Sequence, residues 1–223
     1  MRHPRTPGAD VSDLVTSRLS LYLRCLDLLD RDGVATISSL RLADRYDLSS
    51  AQIRKDLATF GEFGVRGVGY SVRELRSRLT RILGLDRDLK VVIVGAGNLG
   101  MALADYRGFN REGFRIVALF DNAAERIGRR SRGGVQILSI SRLAEVARRE
   151  VVQIAVVAVP AEAAQGVVEE VAKAGIPAIL NFAPVQLRVP PPVKLRNVDL
   201  KTQLENLAFR LARRRPAQAR SAS

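Results

Sequence analysis

The segment KVVIVGAGNLG, residues 90–100, decides the fold of the larger part of the chain. Its four consecutive apolar residues Val91–Val94 predict a buried β-strand, because a strand covered on both faces of a sheet does not alternate with polar residues. Three glycines at G-x-G-x-x-G spacing follow this strand, at the point where a helix is predicted to begin. A strand, a glycine turn and a helix in this order are typical of a dinucleotide-binding domain.

The three glycines have separate roles in such a turn. The first, Gly95, permits a tight turn, the second, Gly97, lets backbone N–H groups approach a pyrophosphate, and the third, Gly100, allows the helix to pack closely on the strand. The amino-terminal end of the helix then places partial positive charge near the phosphates. The residues predicted to bind the cofactor through this turn are Gly95, Gly97, Asn98, Leu99 and Gly100.

An acidic residue, Asp121, ends the second predicted strand, 21 residues after Gly100. A carboxylate at this position can accept hydrogen bonds from the adenosine ribose and would repel a 2′-phosphate, which favours NAD(H) over NADP(H). Arg126, Arg129 and Arg130 follow closely and keep NADP(H) open, although solvated surface charge is their simpler interpretation. A domain that holds coenzyme A, or one with only a structural role, also stays open, because related doubly wound domains share the glycine turn.

Apolar segments on the carboxyl side of the glycine turn continue the same pattern. Apolar strands that alternate with amphipathic helices predict a parallel sheet covered on both faces, so the expected fold class is α/β, a Rossmann domain with a doubly wound sheet over residues 89–199. Further strands are predicted within FRIVALFD (114–121), VVQIAVVAVP (151–160) and AILNFAP (178–184), with weaker signals at 135–137 and 193–198.

Residues 18–84 have a different periodicity, that of several short helices around one glycine-rich hairpin. The segment GEFGVRGVGY at 61–70 has four glycines among hydrophobic residues, which suits a twisted hairpin with positive-φ turns. Three helices precede the hairpin and one follows it, which is the order of a winged helix-turn-helix; any small helical domain is the alternative. The first three helices are predicted from Leu19 to Asp32-Gly33, from Ser38 or Ser39 to Tyr46, and from Ser49, with Gln52 at capping-box spacing, to about Phe60.

Surface chemistry favours a DNA reader over the alternative. The third helix has a predicted buried stripe of Ile53, Leu57 and Phe60, and its opposite face has small and hydrogen-bonding residues that suit a DNA groove. Between two glycines of the hairpin, an arginine could enter a narrow minor groove from the tip. The residues predicted to contact DNA are Gln52, Arg54, Lys55, Thr59, Arg66 and Tyr70.

Composition agrees with a polyanionic partner and excludes several classes of protein. The formal charge is +13 over 223 residues, and hydrophobic residues make up 47% of the chain, which is enough for globular cores. The single cysteine excludes an internal disulfide framework, and no apolar run approaches the roughly 20 residues of a membrane span. The amino-terminal segment has no apolar signal region. We therefore expect a cytoplasmic protein without a membrane partner.

The sequence contains few groups that could catalyse a reaction. A dehydrogenase needs a general acid or base beside the nicotinamide, and the only histidine is His3, near the amino terminus. The only cysteine, Cys25, lies on the apolar side of the first predicted helix. This scarcity of histidine and cysteine favours a protein that is not an enzyme. Lysine or aspartate could serve as the acid or base instead, so an enzyme is not excluded. We therefore predict no catalytic residue, no metal site and a cofactor that acts as a signal.

The two ends of the chain have their own patterns. Residues 1–17 are polar, show no sustained period and predict a flexible arm, whereas 213–223 form a basic tail. Between them, 200–212 predict a helix with a leucine stripe and with Phe209 on another face. A helix with two apolar faces can lie between two bodies, such as its own domain and a second subunit; an ordinary packed helix with one exposed phenylalanine is the alternative.

These segments together resemble the redox-sensing transcriptional repressor Rex family. The resemblance covers roughly residues 16–212, and several motifs occur in the family's order. The matching segments are QIRKDLATFGEFGVRGVGY (52–70), VVIVGAGNLGMALADYRGF (91–109), FD (120–121), VPAEAAQ (159–165) and ILNFAP (179–184).

The resemblance implies a repressor that senses the NADH/NAD+ balance. It implies a homodimer with a swapped carboxyl-terminal helix, two winged helices on an inverted-repeat double-stranded operator, and release when NADH binds. By position, Tyr106 and Asp199 match residues near the nicotinamide and the subunit interface. The chain departs from the family at Val65, where a lysine is common, and at Leu200, which replaces the phenylalanine of some members.

Overall fold

The computed structural model of the protein describes residues 12–65, 67–106, 108–109 and 113–213. The chain divides between Arg87 and Asp88 into two compact units, here called the amino-terminal unit and the carboxyl-terminal unit. The predicted arm and tail lie largely outside the described residues, and so does Arg66 at the predicted hairpin tip. The predicted arm is too long at its carboxyl end, because the first helix already begins at Asp13.

The described residues of the amino-terminal unit form four helices and two short strands. Serines cap the amino-terminal ends of three of the helices. The hydroxyls of Ser38, Ser49 and Ser71 each accept a hydrogen bond from a backbone N–H in the first turn. The elements are α1 (Asp13–Arg31), β1 (Thr36–Ile37), α2 (Ser39–Tyr46), α3 (Ser50–Ala58), β2 (Tyr70–Ser71) and α4 (Val72–Ile82).

Three details of this unit differ from the predicted pattern. Helix α3 ends at Ala58, so Phe60 follows the helix and is only partly buried. The capping box is half formed, because Ser49 caps α3 but the Gln52 side chain bonds Asp56 instead of returning to the cap. Strand β1 was not predicted, since its two residues are too few to show a period of two.

The glycine-rich segment folds back on itself as a wing. Val65 and Gly69 form an antiparallel bridge through reciprocal backbone hydrogen bonds of 2.9 Å, and β2 then pairs with β1. Gly69 has a φ of +104°, and a Cβ there would collide with the carbonyl of Ile37. The wing can therefore approach β1 only because this position has no side chain.

Four donors converge on a buried carboxylate in the core of this unit. Asp56 of α3 is 2% exposed and accepts two hydrogen bonds from Arg18, at 2.6 and 2.8 Å, and one each from Tyr22 and Gln52. The hydrogen bond from Arg18 lowers the pKa of Asp56 more than burial raises it. Because Arg18 and Tyr22 belong to α1, this cluster holds α3 against α1.

The carboxyl-terminal unit is a six-stranded, all-parallel sheet in the order β5-β4-β3-β6-β7-β8. Alternate residues of β3 enter two different cores, one around Val92 and Val94 and the other around Val91 and Ile93, so helices cover both faces. The elements are β3 (Leu89–Val94), α5 (Asn98–Ala104), β4 (Phe114–Asp121), β5 (Ile137–Ser139), α6 (Leu143–Glu150), β6 (Ile154–Val157), α7 (Ala161–Lys173), β7 (Ala178–Asn181), β8 (Lys194–Asn197) and α8 (Leu200–Arg213).

The last helix, α8, exposes its apolar residues. None of residues 200–212 is buried, and the large apolar side chains of the helix are 56–68% exposed. An ordinary packed helix would bury one stripe, so that alternative does not hold within this chain. The exposed apolar residues are Leu200, Leu204, Leu207, Phe209 and Leu211.

No helix within the described ranges combines the length and the apolar character that a membrane span requires.

The Asp56 cluster generates a stability prediction. Asp56→Ala leaves the Arg18 charge and the buried Tyr22 hydroxyl without their acceptor, so we expect a loss of about 3 kcal/mol in the free energy of unfolding. Urea denaturation measures this loss, with Asp44→Ala at an exposed position of α2 as the control. Because the folded pKa of Asp56 is lowered, its contribution is present above the unfolded pKa and is lost as pH falls through the folded pKa. A loss no larger than that of the control at neutral pH would contradict this assignment.

Candidate functional site

The sheet of the carboxyl-terminal unit has a topological switch point between β3 and β6. From β3 the chain proceeds to one side through β4 and β5, and it then crosses to β6, β7 and β8 on the other side. Ligands of such sheets bind outside the carboxyl ends of the strands at this point. A cleft of about 580 Å³ lies there, and its lining includes Gly95, Gly97, Asn98, Leu99, Asp121, Asn122, Arg126, Ala158 and Val159.

The glycine turn has the geometry that its sequence predicts. Gly95 has a φ of +104°, and a Cβ on it would collide with the carbonyl of Ala158. A Cβ on Gly100 would collide with the carbonyl oxygen of Gly95, so the helix can begin this close to β3 only with glycine there. A Cβ on Gly97, in contrast, meets nothing within 4 Å. The open side of the turn therefore faces space that a phosphate can occupy.

Asp121 is buried at the end of β4 and fixed by three donors. The backbone N–H of Ala96 donates to Oδ2 at 2.8 Å, the N–H of Ala123 to Oδ1 at 2.9 Å, and Arg126 to Oδ2 at 3.1 Å. Burial by itself would raise the pKa of Asp121, but the hydrogen bonds from Ala123, Ala96 and Arg126 lower it below its ordinary value. The carboxylate is thus ionised at neutral pH, and Oδ1, with one donor, retains the capacity to accept another.

Arg126 is a site residue that the sequence analysis did not assign. Arg126 is exposed, as its interpretation as surface charge expects, but it also lines the cleft and forms an ion pair with Asp121. Arg129 and Arg130 are exposed too but do not line the cleft, and Arg130 donates to the carbonyl of Gly134. Only the fold could distinguish these three neighbouring arginines.

Tyr106 and Asp199 do not line the cleft. Tyr106 is exposed, and its ring lies edge-on against Phe109 with centroids 5.1 Å apart. Asp199 is exposed and caps α8, since its carboxylate accepts hydrogen bonds from the backbone N–H and hydroxyl of Thr202 at 3.0 and 2.7 Å. The hydrogen bond from the Thr202 backbone lowers the pKa of Asp199 below its ordinary value. One chain therefore does not bring these two residues into the dinucleotide cleft.

Three of the six residues predicted to contact DNA lie on the exposed side of α3 or directly after its end. Arg54, Lys55 and Thr59 are all exposed, whereas Ile53 and Leu57 are buried against the rest of the unit. The guanidinium of Arg54 donates to the Ser39 hydroxyl at 3.0 Å, and the Thr59 hydroxyl donates to the carbonyl of Lys55 at 3.2 Å. The face is thus cationic and partly held in place by local hydrogen bonds.

Gln52 and Tyr70 are less available than the sequence suggests. The side-chain amide of Gln52 is half-buried and donates to Asp56 at 2.7 Å. Tyr70 is half-buried too, and burial raises the pKa of its hydroxyl. Its ring lies so close to Gly64 that a Cβ there would collide with it. Both residues therefore lie at the edge of the exposed cationic face and not on it.

Sequence reasoning missed two further polar residues besides Arg126. Asp56 is buried on the core side of α3. In the sequence it is only one charged residue in a predicted helix, which gives no sign of burial. Asn181 is completely buried at the end of β7 and hydrogen-bonds Ala183 and Asn197. The signal that could have indicated Asn181 is its place at the end of a predicted parallel strand, where polar residues are unusual unless they have a role.

The geometry of the turn predicts different outcomes for two glycine substitutions. Gly97→Ala should fold normally, because its Cβ meets no atom, but should weaken dinucleotide binding about ten-fold by filling the phosphate space. Gly100→Ala should lower both the melting temperature and the affinity, because its Cβ collides with Gly95. Calorimetric titration with NADH and thermal unfolding measure the two quantities. Gly166→Ala, in the open on α7, is the control, and equal NADH affinity in Gly97→Ala and this control would contradict the prediction.

Two family profiles match the chain, one for each unit. A profile described as "Putative DNA-binding protein N-terminus" matches residues 10–58, and one described as "CoA binding domain" matches residues 86–185. The first match contains helices α1 to α3, and the second contains the glycine turn and Asp121.

Individual proteins match the chain over about nine-tenths of its length, across both units. The redox-sensing transcriptional repressor Rex of Desulfitobacterium hafniense (strain DSM 10664 / DCB-2) is 50% identical over 198 residues, which are 89% of this chain and 94% of that protein. The crystal structure of RSP in complex with beta-NAD+ and operator DNA is similar with a TM-score of 0.87 and 38% identity, over 92% of this chain and 94% of that chain. RSP in complex with beta-NADH gives a TM-score of 0.81 and 37% identity, over 91% and 95%. The chain therefore belongs to the Rex family of redox-sensing transcriptional repressors.

Proposed function

We propose that this protein represses transcription as a homodimer on an inverted-repeat DNA operator and is released when NADH binds. The observation that carries the proposal is the ionised, buried Asp121 beside a glycine turn whose open side faces the cleft. This arrangement suits the ribose and pyrophosphate of NAD(H). It occurs in a chain that also has an exposed cationic helix face in a separate unit, so one molecule has both a sensor and a reader.

The reader is α3, which enters the major groove with its exposed face. Lys55 and Arg54 supply positive charge and Thr59 a hydroxyl, and Gln52 contacts DNA from the edge of the face. The wing follows with Tyr70 at its base and contacts the backbone and the adjacent minor groove; Arg66, which lies outside the described residues, is predicted to enter that groove. Two such units, related by a two-fold axis, account for an inverted repeat.

The second copy is needed because of α8. Five large apolar side chains on this helix are exposed in the single chain, and burying them against a partner would remove a large apolar area from water. We infer that α8 packs against the other subunit, as the swapped helix of the family does. The same packing would bring Tyr106 and Asp199 to the interface, where they contact the nicotinamide end of the dinucleotide.

Discrimination between the two redox forms arises at the nicotinamide. NADH and NAD+ share the adenosine and the pyrophosphate, so Gly95–Gly100 and Asp121 bind both. The forms differ by a hydride and a ring charge, and only contacts that differ between the open and closed dimer can shift its equilibrium. An apolar environment beside Tyr106 disfavours the charged ring and selects NADH.

The proposed role is regulatory and not enzymatic. The Rex relatives are named transcriptional repressors, which agrees with a dinucleotide that is bound as an effector and released unchanged. Both the chromosome and the dinucleotide pool of a bacterium are in the cytoplasm, and we place the protein there.

Fluorescence anisotropy of a labelled inverted-repeat operator tests the whole proposal. At fixed salt, NADH should release the DNA at concentrations at which NAD+ does not. NADPH and coenzyme A serve as further titrants, because Asp121 should disfavour a 2′-phosphate and one profile description names coenzyme A. Release by coenzyme A and not by NADH would replace the proposal with a coenzyme A sensor. Tight DNA binding that no nucleotide alters would separate the reader from any sensor function.

Lys55→Ala tests α3 as the reader. Loss of one phosphate contact should weaken operator binding about ten-fold and reduce the salt dependence of binding by about one ion, with unchanged NADH affinity. Anisotropy at three salt concentrations gives both values. Lys173→Ala on α7, which removes an equal charge from the other unit, is the matched control. If both variants lose the same affinity, the effect is general electrostatics and α3 is not the reader.

A further inference from the structure

Asn181 connects three segments at the carboxyl edge of the sheet. Its side chain is completely buried, and its Nδ2 donates to the carbonyl of Ala183 at 2.9 Å and to Oδ1 of Asn197 at 3.0 Å. Its Oδ1 accepts from the backbone N–H of Ala183 at 2.9 Å. Both donors of the amide are used, so the side chain cannot rotate without leaving a buried donor unpaired.

The same residue also holds the end of β8. The backbone carbonyl of Asn181 accepts from the N–H of Val198 at 2.8 Å, beside the side-chain bond to Asn197. The chain that leaves β8 is therefore attached to Asn181 at two points. The next residue is Asp199, which caps the first turn of α8. The position of this turn consequently depends on the position of Asn181.

On its other side, Asn181 is in register with the strand that borders the cleft. It pairs with Val157 of β6, and the N–H of Phe182 donates to the carbonyl of Val157 at 2.9 Å. The residues that follow Val157, Ala158 and Val159, line the cleft. A continuous set of contacts thus leads from the cleft through β6 and Asn181 to the start of α8.

We propose that Asn181 and Asn197 are positioning residues that couple dinucleotide binding to the orientation of α8. The inference rests on the proposed function, because it assumes that α8 packs against a second copy and that NADH changes this packing. A dinucleotide that displaces the end of β6 displaces the Asn181 amide. The amide then moves the β8 terminus through Asn197. Neither residue touches the dinucleotide or DNA in this mechanism, so both act through Asp199 and α8.

Asn197 offers the sharper test because it is exposed and contributes only an acceptor to the pair. Asn197→Ala removes the acceptor and leaves one Nδ2 hydrogen of Asn181 unpaired, so we expect a lower melting temperature in a protein that still folds. Asn197→Asp keeps an oxygen at the same position and should preserve the bond to Asn181. Lys194→Ala, at another exposed position of β8, controls for general effects on the strand.

The measured quantity is the factor by which saturating NADH weakens operator binding, obtained by anisotropy with the full-length protein. Asn197→Ala should reduce this factor about ten-fold, within the range of mutations that modulate coupling, and leave NADH affinity and NADH-free operator affinity unchanged. Asn197→Asp and Lys194→Ala should behave like the wild type. Thermal unfolding and the molecular mass in solution, measured for every variant, separate coupling from folding and assembly.

The outcomes distinguish this inference from the proposed function. If NADH does not release the wild type, the proposed function fails. If NADH releases the wild type and Asn197→Ala equally, the function stands and the coupling role of the asparagine pair is refuted. Loss of coupling in Asn197→Asp as well would also refute it, because the acceptor oxygen would then be irrelevant. A loss of NADH affinity in Asn197→Ala as large as its loss of coupling would refute it too, because it would show a general structural effect.

Discussion

The hydrogen bond from the backbone N–H of Ala96 to the carboxylate of Asp121 is the interaction on which the nucleotide site depends. It joins the turn after β3 to the end of β4, while Gly95 donates to Phe120 and Ala158 to Val94. Three strand ends thereby converge at the switch point, and the turn is held open towards the cleft. The carboxylate can stay buried because its donors compensate for the water it loses. The carboxylate that we propose to bind the ribose thus also shapes the site.

The amino-terminal unit uses the same physical solution for a different purpose. Asp56 is a buried carboxylate that joins α3 to α1, and its donors also compensate for the loss of hydration. Here the acid does not face a ligand. It holds one side of a helix so that the opposite side can present Arg54 and Lys55, and it engages Gln52 at the boundary between the two faces. Stability and recognition therefore share residues on a helix of nine residues.

The apolar residues of α8 are exposed in the single chain. A single chain that exposes five large apolar side chains on one helix gains free energy by burying them, which makes a partner surface part of the expected structure. Two residues separate the end of β8 from the start of α8, and β8 is joined through β7 to β6, the strand that borders the cleft. The fold thus connects the small-molecule site to the exposed apolar helix α8 through neighbouring strands.

Local patterns in the sequence determined a large part of this architecture. Four apolar residues and the spacing of three glycines predicted the β3 strand, the turn and the start of α5, and the segment 114–121 predicted β4 with Asp121 at its end. These features depend on periods of two or 3.6 residues and on short-range backbone geometry, which a sequence displays directly. The caps of α2 and α3 are local for the same reason, whereas the start of α1 and the two-residue β1 were too weakly marked to predict.

Only the tertiary structure decided which polar residues become partners. Arg18 and Asp56 are 38 positions apart, Ala96 and Asp121 are 25 apart, and Asn181 and Asn197 are 16 apart. No local period relates such residues, because the strand order and the packing of α1 on α3 bring them together. The packing of the whole chain also left α8 exposed. The sequence determined the elements and the glycine turn, and the fold determined which charges and amides meet, because those contacts join residues that are distant along the chain.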